Sequence, residues 1–468
     1  MAEKTKGEML KEKLFLEKKD AYEKADEKKI KEIYSYAEGY KSFLDQAKTE
    51  RESVRYALGY VKEHGFKEFE YGKKYLPGDK IYFNNRGKAI YLVTIGKKSL
   101  DEGFSIAAAH IDSPRIDLKQ CPVYEDGGMA FFKTHYYGGI KKYQWTTIPL
   151  SLHGTISKKD GTSIDISVGE NPSEPVFCIT DLLPHLGADQ MSKTMSKAIT
   201  GENLNILVGS RPYDDEKVSD KIKLNILSIL NENYGIDEAD LLSSELCLVP
   251  SEKARDLGFD RSMVLAYGHD DRVCAYPILT AIVEASKKAP EYTAVTLLAD
   301  KEETGSDGTT GMKSEAFDNM MVEICENSGA NPRRAFANSK CLSADVNACF
   351  DPNFSEVYET KNAAFLNRGV CLTKYTGAGG KSSTNDASAE YVAEIRRIFD
   401  GEGVLWQTGE LGKVDIGGGG TVAKFIAERD IDTVDVGVPV LSMHAPYEAI
   451  SKADLYFAYR AFLAFFLR

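Results

Sequence analysis

The sequence has no surplus of positive charge: 59 Lys and Arg face 71 Asp and Glu, for a net charge of −12. A surface that tracks nucleic-acid phosphates or an anionic membrane usually needs clustered cations, so neither partner is expected. Cysteine motifs are missing too. Cys121, Cys178, Cys247, Cys274, Cys325, Cys341, Cys349 and Cys371 are irregularly spaced and form no C-x-x-C pair. Reduced thiols are therefore expected, and a cysteine-built zinc site is not. No run approaches the roughly 18 apolar residues of a membrane span. The N-terminus, MAEKTKGEMLKEKLFLEKKD, is charged and lacks the apolar segment of an export signal, so the expected location is the cytoplasm. Internal repeats and long low-complexity linkers do not occur.

What is present is an ordinary globular composition, 43% apolar and 28% charged. A chain of 468 residues is too long for one comfortable core, which predicts two domains. Residues 1 to about 65 alternate Lys and Glu around scattered apolar positions and predict helices with one packed stripe. The runs KAIYLVTIG and GFSIAAAH predict buried strands. From about 117 to 255 the chain is β-rich, with TIPLSLHGTIS, TSIDISVG and EPVFCIT as short strands. We read this as a second domain, 117–255, inserted into a first made of 1–116 and 256–468. The α/β rhythm then returns. VCAYPILTAIVEAS predicts a helix, AVTLLAD a strand, KCLSAD another strand end, and TVDVGVPVLSMH a strand. Ser451 and Asp454 predict a capping box at the start of the last helix.

Five places put an imidazole or a carboxylate just past an apolar run or just before a helix. They are His110-Ile111-Asp112, Gly268-His269-Asp270-Asp271-Arg272, Asp300-Lys301-Glu302-Glu303, Ser343-Ala344-Asp345 and Ser442-Met443-His444. In open α/β sheets the carboxyl ends of strands converge on one crevice, where such groups can meet. Strand alternation predicts that Asp112 faces the His110 imidazole and fixes its tautomer. Each place taken alone also fits a structural pair, a helix cap or a solvated turn. Together they supply two histidines and three carboxylates, a shell for two zinc ions, with one carboxylate between them and another free to act as general base.

HIDSP, GHDDR, DKEETGS, SADVNACFDPN and VLSMHA, with YYGGIKKYQWTTIPLSLHG and GGGGT, resemble in order the motifs of the aspartyl aminopeptidase family of zinc metallopeptidases. The resemblance runs from about 105 to 450. It implies that His110 and Asp345 bind one zinc, that Glu303 and His444 bind the other, and that Asp270 bridges. It makes Glu302 the general base and Asp112 the residue that orients His110. Cobalt or manganese could replace zinc in so carboxylate-rich a site. The fold implied is an α/β zinc-peptidase sandwich interrupted by a β-rich dimerisation domain, and the assembly implied is a tetrahedral homododecamer. The function implied is removal of N-terminal residues from peptides, with a preference for Asp or Glu. That preference needs a cation, for which Lys374 is the candidate, its neighbour Thr373 being the other reading of the local alignment. Gly418 and Gly419 are expected to line the substrate. Eukaryotic relatives have histidines where this chain has Ala348 and Asp351. They also place a cross-subunit histidine where it has Asp189, with His185 four residues earlier. A deacylase on the same metal centre and a non-catalytic scaffold of the same fold are the alternatives. Blocked N-termini test the first and metal content the second.

Overall fold

The computed structural model describes residues 4–23 and 25–468. Its centre is a nine-stranded sheet. The order is Lys67–Glu68, Lys80–Asn85, Ala89–Thr94, Thr293–Ala299, Phe104–His110, Lys340–Ser343, Asp432–Gly437, Val370–Thr373 and Trp406–Thr408. The stretch from Thr293–Ala299 to Asp432–Gly437 is parallel throughout. Thr293–Ala299 and Phe104–His110 are buried at every residue, as parallel strands covered on both faces must be.

Alternation along Phe104–His110 assigns the two faces. Ala107 and Ala109 join one core, Ile106 and Ala108 the other. The first core is closed by helices Glu27–Gln46, Glu50–Glu63, His269–Ala285, Ala389–Gly401 and Lys452–Phe466, through residues such as Ile278, Ile395 and Phe462. The second is closed by Ala316–Asn327, Pro332–Ala337 and Ala423–Ala427, through Phe317, Met320 and Ile426. This is the expected α/β sandwich.

A six-stranded antiparallel sheet is drawn wholly from residues 115–250. Its order is Ser163–Val168, Leu150–Ser157, Ser244–Pro250, Arg115–Asp126, Met129–Tyr137 and Ile206–Gly209. It has its own core around Trp145, Leu152, Ile156 and Leu248. A buried polar knot ties it to the N-terminal helices. His153 Nδ1 lies 2.8 Å from Glu52, and its Nε2 lies 2.9 Å from the Glu170 oxygen that also meets Lys48 Nζ at 2.9 Å.

Three local expectations need correction. EPVFCIT is not a strand. It makes only isolated bridges, Leu150 to Phe177 and Cys178 to Leu207, because it crosses from one strand to another instead of lying along either. TVDVGVPVLSMH is two strands. Asp432–Gly437 belongs to the nine-stranded sheet, while Pro439–Leu441 belongs to a third sheet of five strands. Proline supplies no ladder donor, and a Cβ at Gly437 would fall 1.7 Å from the Asp345 carbonyl oxygen, so the chain changes sheets there. Ser451 does cap the last helix, accepting the amides of Ala453 and Asp454. Asp454 does not close the box, because its carboxylate accepts the amides of Asn367 and Gly369 instead.

All eight cysteines are unpaired, and six are buried. Among the described residues, no helix is long and apolar enough to cross a membrane.

Candidate metal centre

The parallel strands deliver their carboxyl ends to one edge of the sheet. His110 is the last residue of its strand, and the turn Glu302–Thr304 follows Thr293–Ala299. Asp345 follows Lys340–Ser343, while His444 comes from the neighbouring five-stranded sheet, after Pro439–Leu441. Asp270 arrives from outside the sheet, at the irregular start of the helix that becomes regular at Arg272.

These groups meet. Asp270 lies between the two imidazoles, with Oδ1 3.1 Å from His110 Nε2 and Oδ2 3.1 Å from His444 Nε2. Asp345 Oδ1 is 3.8 Å from His110 Nε2, and Glu303 Oε1 is 3.7 Å from His444 Nε2. Donor atoms of His110, Glu302 and Asp345 lie within 4.8 Å of one another, as do those of His110, Asp270 and Glu303.

The outer nitrogens fix the tautomers. His110 Nδ1 is 3.0 Å from the Asp112 carbonyl oxygen and 3.3 Å from its carboxylate. His444 Nδ1 is 2.7 Å from the Gly139 carbonyl oxygen. A nitrogen facing a carbonyl must carry the hydrogen, so each ring turns its Nε2 toward Asp270. Asp112 does face the His110 imidazole, but not by strand alternation. The strand ends at His110, and the turn brings the Asp112 backbone carbonyl closer than its side chain.

The electrostatics are those of a buried acid cluster. Burial, then Asp345 and Asp270, pushes Glu302 up to about 8. Burial and Asp270 push Glu303 well above the carboxylate range, and burial raises Asp345. Asp270 goes the other way. Against burial, hydrogen bonds from His110 and His444 hold it low. His444 is raised to about 10 because Asp270 and Glu303 outweigh its burial. Glu303 Oε1 has no hydrogen-bond partner. Four carboxylates, Asp270, Glu302, Glu303 and Asp345, crowd two imidazoles here, an arrangement that calls for positive charge. Nitrogen and oxygen donors in this arrangement fit divalent zinc. Lys301 and His444 both adopt positive φ, 71° and 65°, and such backbone strain gathers at functional sites.

Other expected residues are not in this group. Lys374 is 44% exposed and ion-paired with Asp386, which also holds Lys381. Its neighbour Thr373 is buried and accepts a hydrogen bond from Asn347, two residues beyond Asp345. The glycine loop has an internal explanation. A Cβ at Gly418 would lie 2.3 Å from Ala378 Cα, and the Gly419 amide donates to Thr376. Thr421 anchors the loop on buried Asp435 at 2.8 Å. His185 lies in the exposed turn Pro184–Leu186, and Asp189 is exposed beside it.

Sequence reasoning gave no role to Glu448, or to Tyr137 and Gly139 within the quoted YYGG motif. Glu448 is buried. Its Oε2 accepts the Asp270 amide at 3.0 Å, and its Oε1 accepts the His444 amide at 2.7 Å. The available signal was an acid inside the apolar run EAI, just after His444. Tyr137 donates to Asp112 at 2.7 Å. Its signal was the glycine pair that follows it.

The family model described as Aminopeptidase I zinc metalloprotease (M18) matches residues 43–466. The Clostridium acetobutylicum protein named Probable M18 family aminopeptidase 1 is 50% identical over 460 residues, which cover 97% of this chain and 98% of that one. The crystal structure of an M18-family aminopeptidase from Thermotoga maritima matches with a TM-score of 0.92 at 43% identity, over 97% of this chain and 99% of that one. A more distant structure, the mApe1 dodecamer of S. cerevisiae, shares the fold at a TM-score of 0.75 and 22% identity, over 92% of this chain and 96% of that one.

Proposed function

Because this chain belongs to the M18 family of zinc aminopeptidases, we propose that its acid cluster holds two zinc ions and that Glu302 handles the proton in peptide hydrolysis. The observation that carries the reading is Asp270, with one oxygen turned to each histidine. His110 and Asp345 would hold one ion and Glu303 and His444 the other, with Asp270 shared between them. When bound, such a pair lowers the pKa of water and polarises the scissile carbonyl.

The chain's own residues do the rest. Glu302 takes a proton from the attacking water as the water oxygen bonds to the carbonyl carbon. As the C–N bond breaks, Glu302 returns that proton to the leaving amine. A carboxyl raised to about 8 by burial and its acidic neighbours is poised to take up and release a proton near neutrality. Asp112 receives the amides of Glu302 and Glu303 at 3.1 and 3.2 Å and so holds both glutamates in place.

Residues 117–255 are read as the inserted dimerisation unit and the remainder as the catalytic unit. Exposed Leu182, Leu183, Leu186, Met191 and Met195 support an interface on that unit, since a monomer rarely leaves such a run uncovered. The fold shared with a dodecamer supports a homo-oligomer of that size. His185 lies within the apolar run, so a role at an active site would place it across a subunit boundary. For an acidic first residue of the peptide the candidate cation is Lys374, which is exposed and ion-paired with Asp386, with Thr373 as the other reading of the alignment.

The test is Glu302→Gln. It keeps two zinc ions per subunit and loses about 10²–10⁴ in turnover. Near-normal turnover would overturn the assignment.

A further inference from the structure

The segment Tyr137-Gly138-Gly139 leaves the six-stranded sheet at the end of strand Met129–Tyr137 and lies against the metal-centre residues. Tyr137 donates its hydroxyl to Asp112 Oδ2 at 2.7 Å. That same carboxylate receives the amides of Glu302 and Glu303 and faces His110 Nδ1. One buried acid thus collects donors from the His110 turn, the glutamate turn and the six-stranded sheet. The Tyr137 ring is itself held, with the Arg115 guanidinium 4.0 Å from its centroid and Arg115 paired to Glu50 and Asp117. Two residues on, the Gly139 carbonyl takes the His444 Nδ1 hydrogen at 2.7 Å. Between them Gly138 adopts φ +77°, and a Cβ there would lie 3.1 Å from Glu303 Oε2 and 3.4 Å from Pro114 Cα. A Cβ at Gly139 would sit 3.4 Å from His444 Nδ1. The segment is tight and left-handed at Gly138, while a Cβ at Gly139 would make ordinary contact with His444.

We propose that Tyr137, Gly138 and Gly139 are positioning residues of the metal centre. They form a strap from the six-stranded sheet that fixes His110 through Asp112 and fixes His444 directly through the Gly139 carbonyl. The inference rests on the ligand assignment above. Partners on the outer nitrogen of a ligating histidine set its tautomer, orientation and basicity, and losing one typically costs about 10–100-fold in metal affinity. Tyr137→Phe removes one hydroxyl and keeps the ring under Arg115, so it tests the strap without opening the core. Gly138→Ala tests the close approach, since φ +77° strains any side chain there.

The experiment measures zinc affinity of the full-length protein by competition with a chromophoric chelator. Metal-free thermal unfolding and steady-state kinetics are measured alongside. Tyr137→Phe is expected to bind zinc about 10–100-fold more weakly, to unfold at the wild-type temperature when metal-free, and to lose kcat with KM unchanged. Gly138→Ala is expected to weaken zinc binding as well. Wild-type zinc affinity and kcat in Tyr137→Phe would overturn the strap. So would a fall in metal-free stability with zinc affinity intact, which marks a purely structural residue. His110→Ala separates the premises: if it leaves zinc binding unchanged, the ligand assignment fails; if it abolishes binding while Tyr137→Phe changes nothing, the strap alone fails.

Discussion

Glu448 accepts the backbone amide of Asp270 across 178 positions of sequence, at 3.0 Å. Its second oxygen accepts the amide of His444 at 2.7 Å. One carboxylate therefore seats two proposed ligands, including a histidine held at positive φ. Glutamine offers only one carbonyl oxygen, and its NH2 would confront the other amide. Glu448→Gln should weaken zinc binding by about 10–100-fold. The measurement is zinc retained per subunit against graded chelator, and a wild-type curve would mean the backbone holds its shape unaided.

The knot around His153 predicts a pH-dependent stability. Burial works against the protonated ring, but Glu170 and Glu52 win and raise its pKa above 6.5. A group raised on folding stabilises fully below its unfolded pKa and loses that effect as pH rises through the folded value. Glu170 is the mirror case. Burial opposes its charge, yet His153, Lys48 and Ser151 lower it to about 2, so its contribution is present above about 4.5 and fades toward about 2. The melting-temperature gap between wild type and His153→Gln should be widest near pH 5–6 and should shrink as pH rises through the raised His153 value. A gap constant with pH would show that the ring is not charged in the fold.

Phe462 is fully buried in the helical layer over the nine-stranded sheet. Phe462→Ala removes its ring from a close-packed site and should cost about 3–5 kcal/mol. Denaturant unfolding of the metal-free protein checks this, and a cost below about 1 kcal/mol would mean that the layer collapses to fill the space.

Lys374 and Lys381 share Asp386. If that loop reads an acidic first residue, Lys374→Met lowers kcat/KM for Asp and Glu substrates by about tenfold, roughly 1.4 kcal/mol, and leaves Leu substrates alone. Amino-acid-coupled reporter substrates make the comparison. An equal loss on both classes would place the selectivity elsewhere.

The ligand candidates could be read from the chain because each follows a local rule. An apolar run ends, and a histidine or acid stands just past it, as at His110, Glu303 and Asp345. The α/β alternation could be read from the same runs. What could not be read depends on contacts between distant segments. Nothing near Glu448 announces Asp270, and nothing near Tyr137 announces Asp112. The split of TVDVGVPVL between two sheets depends on how closely Gly437 approaches Asp345. Lys374 turns outward to Asp386 while Thr373 turns inward, and a short strand end does not say which side faces the centre.

The six-stranded sheet begins at Arg115, directly behind Asp112-Ser113-Pro114. A shortened chain that closed this gap with a tight loop would keep His110, Asp270, Glu303, Asp345 and His444 and would lose the hydroxyl on Asp112 and the carbonyl on His444. On that reading the segment is not an interchangeable cassette. A chimera that borrows it from a relative must import it together with its seats at Asp112, Glu303 and His444, or it will assemble a complete ligand list in which Asp112 lacks its hydroxyl partner and His444 its carbonyl.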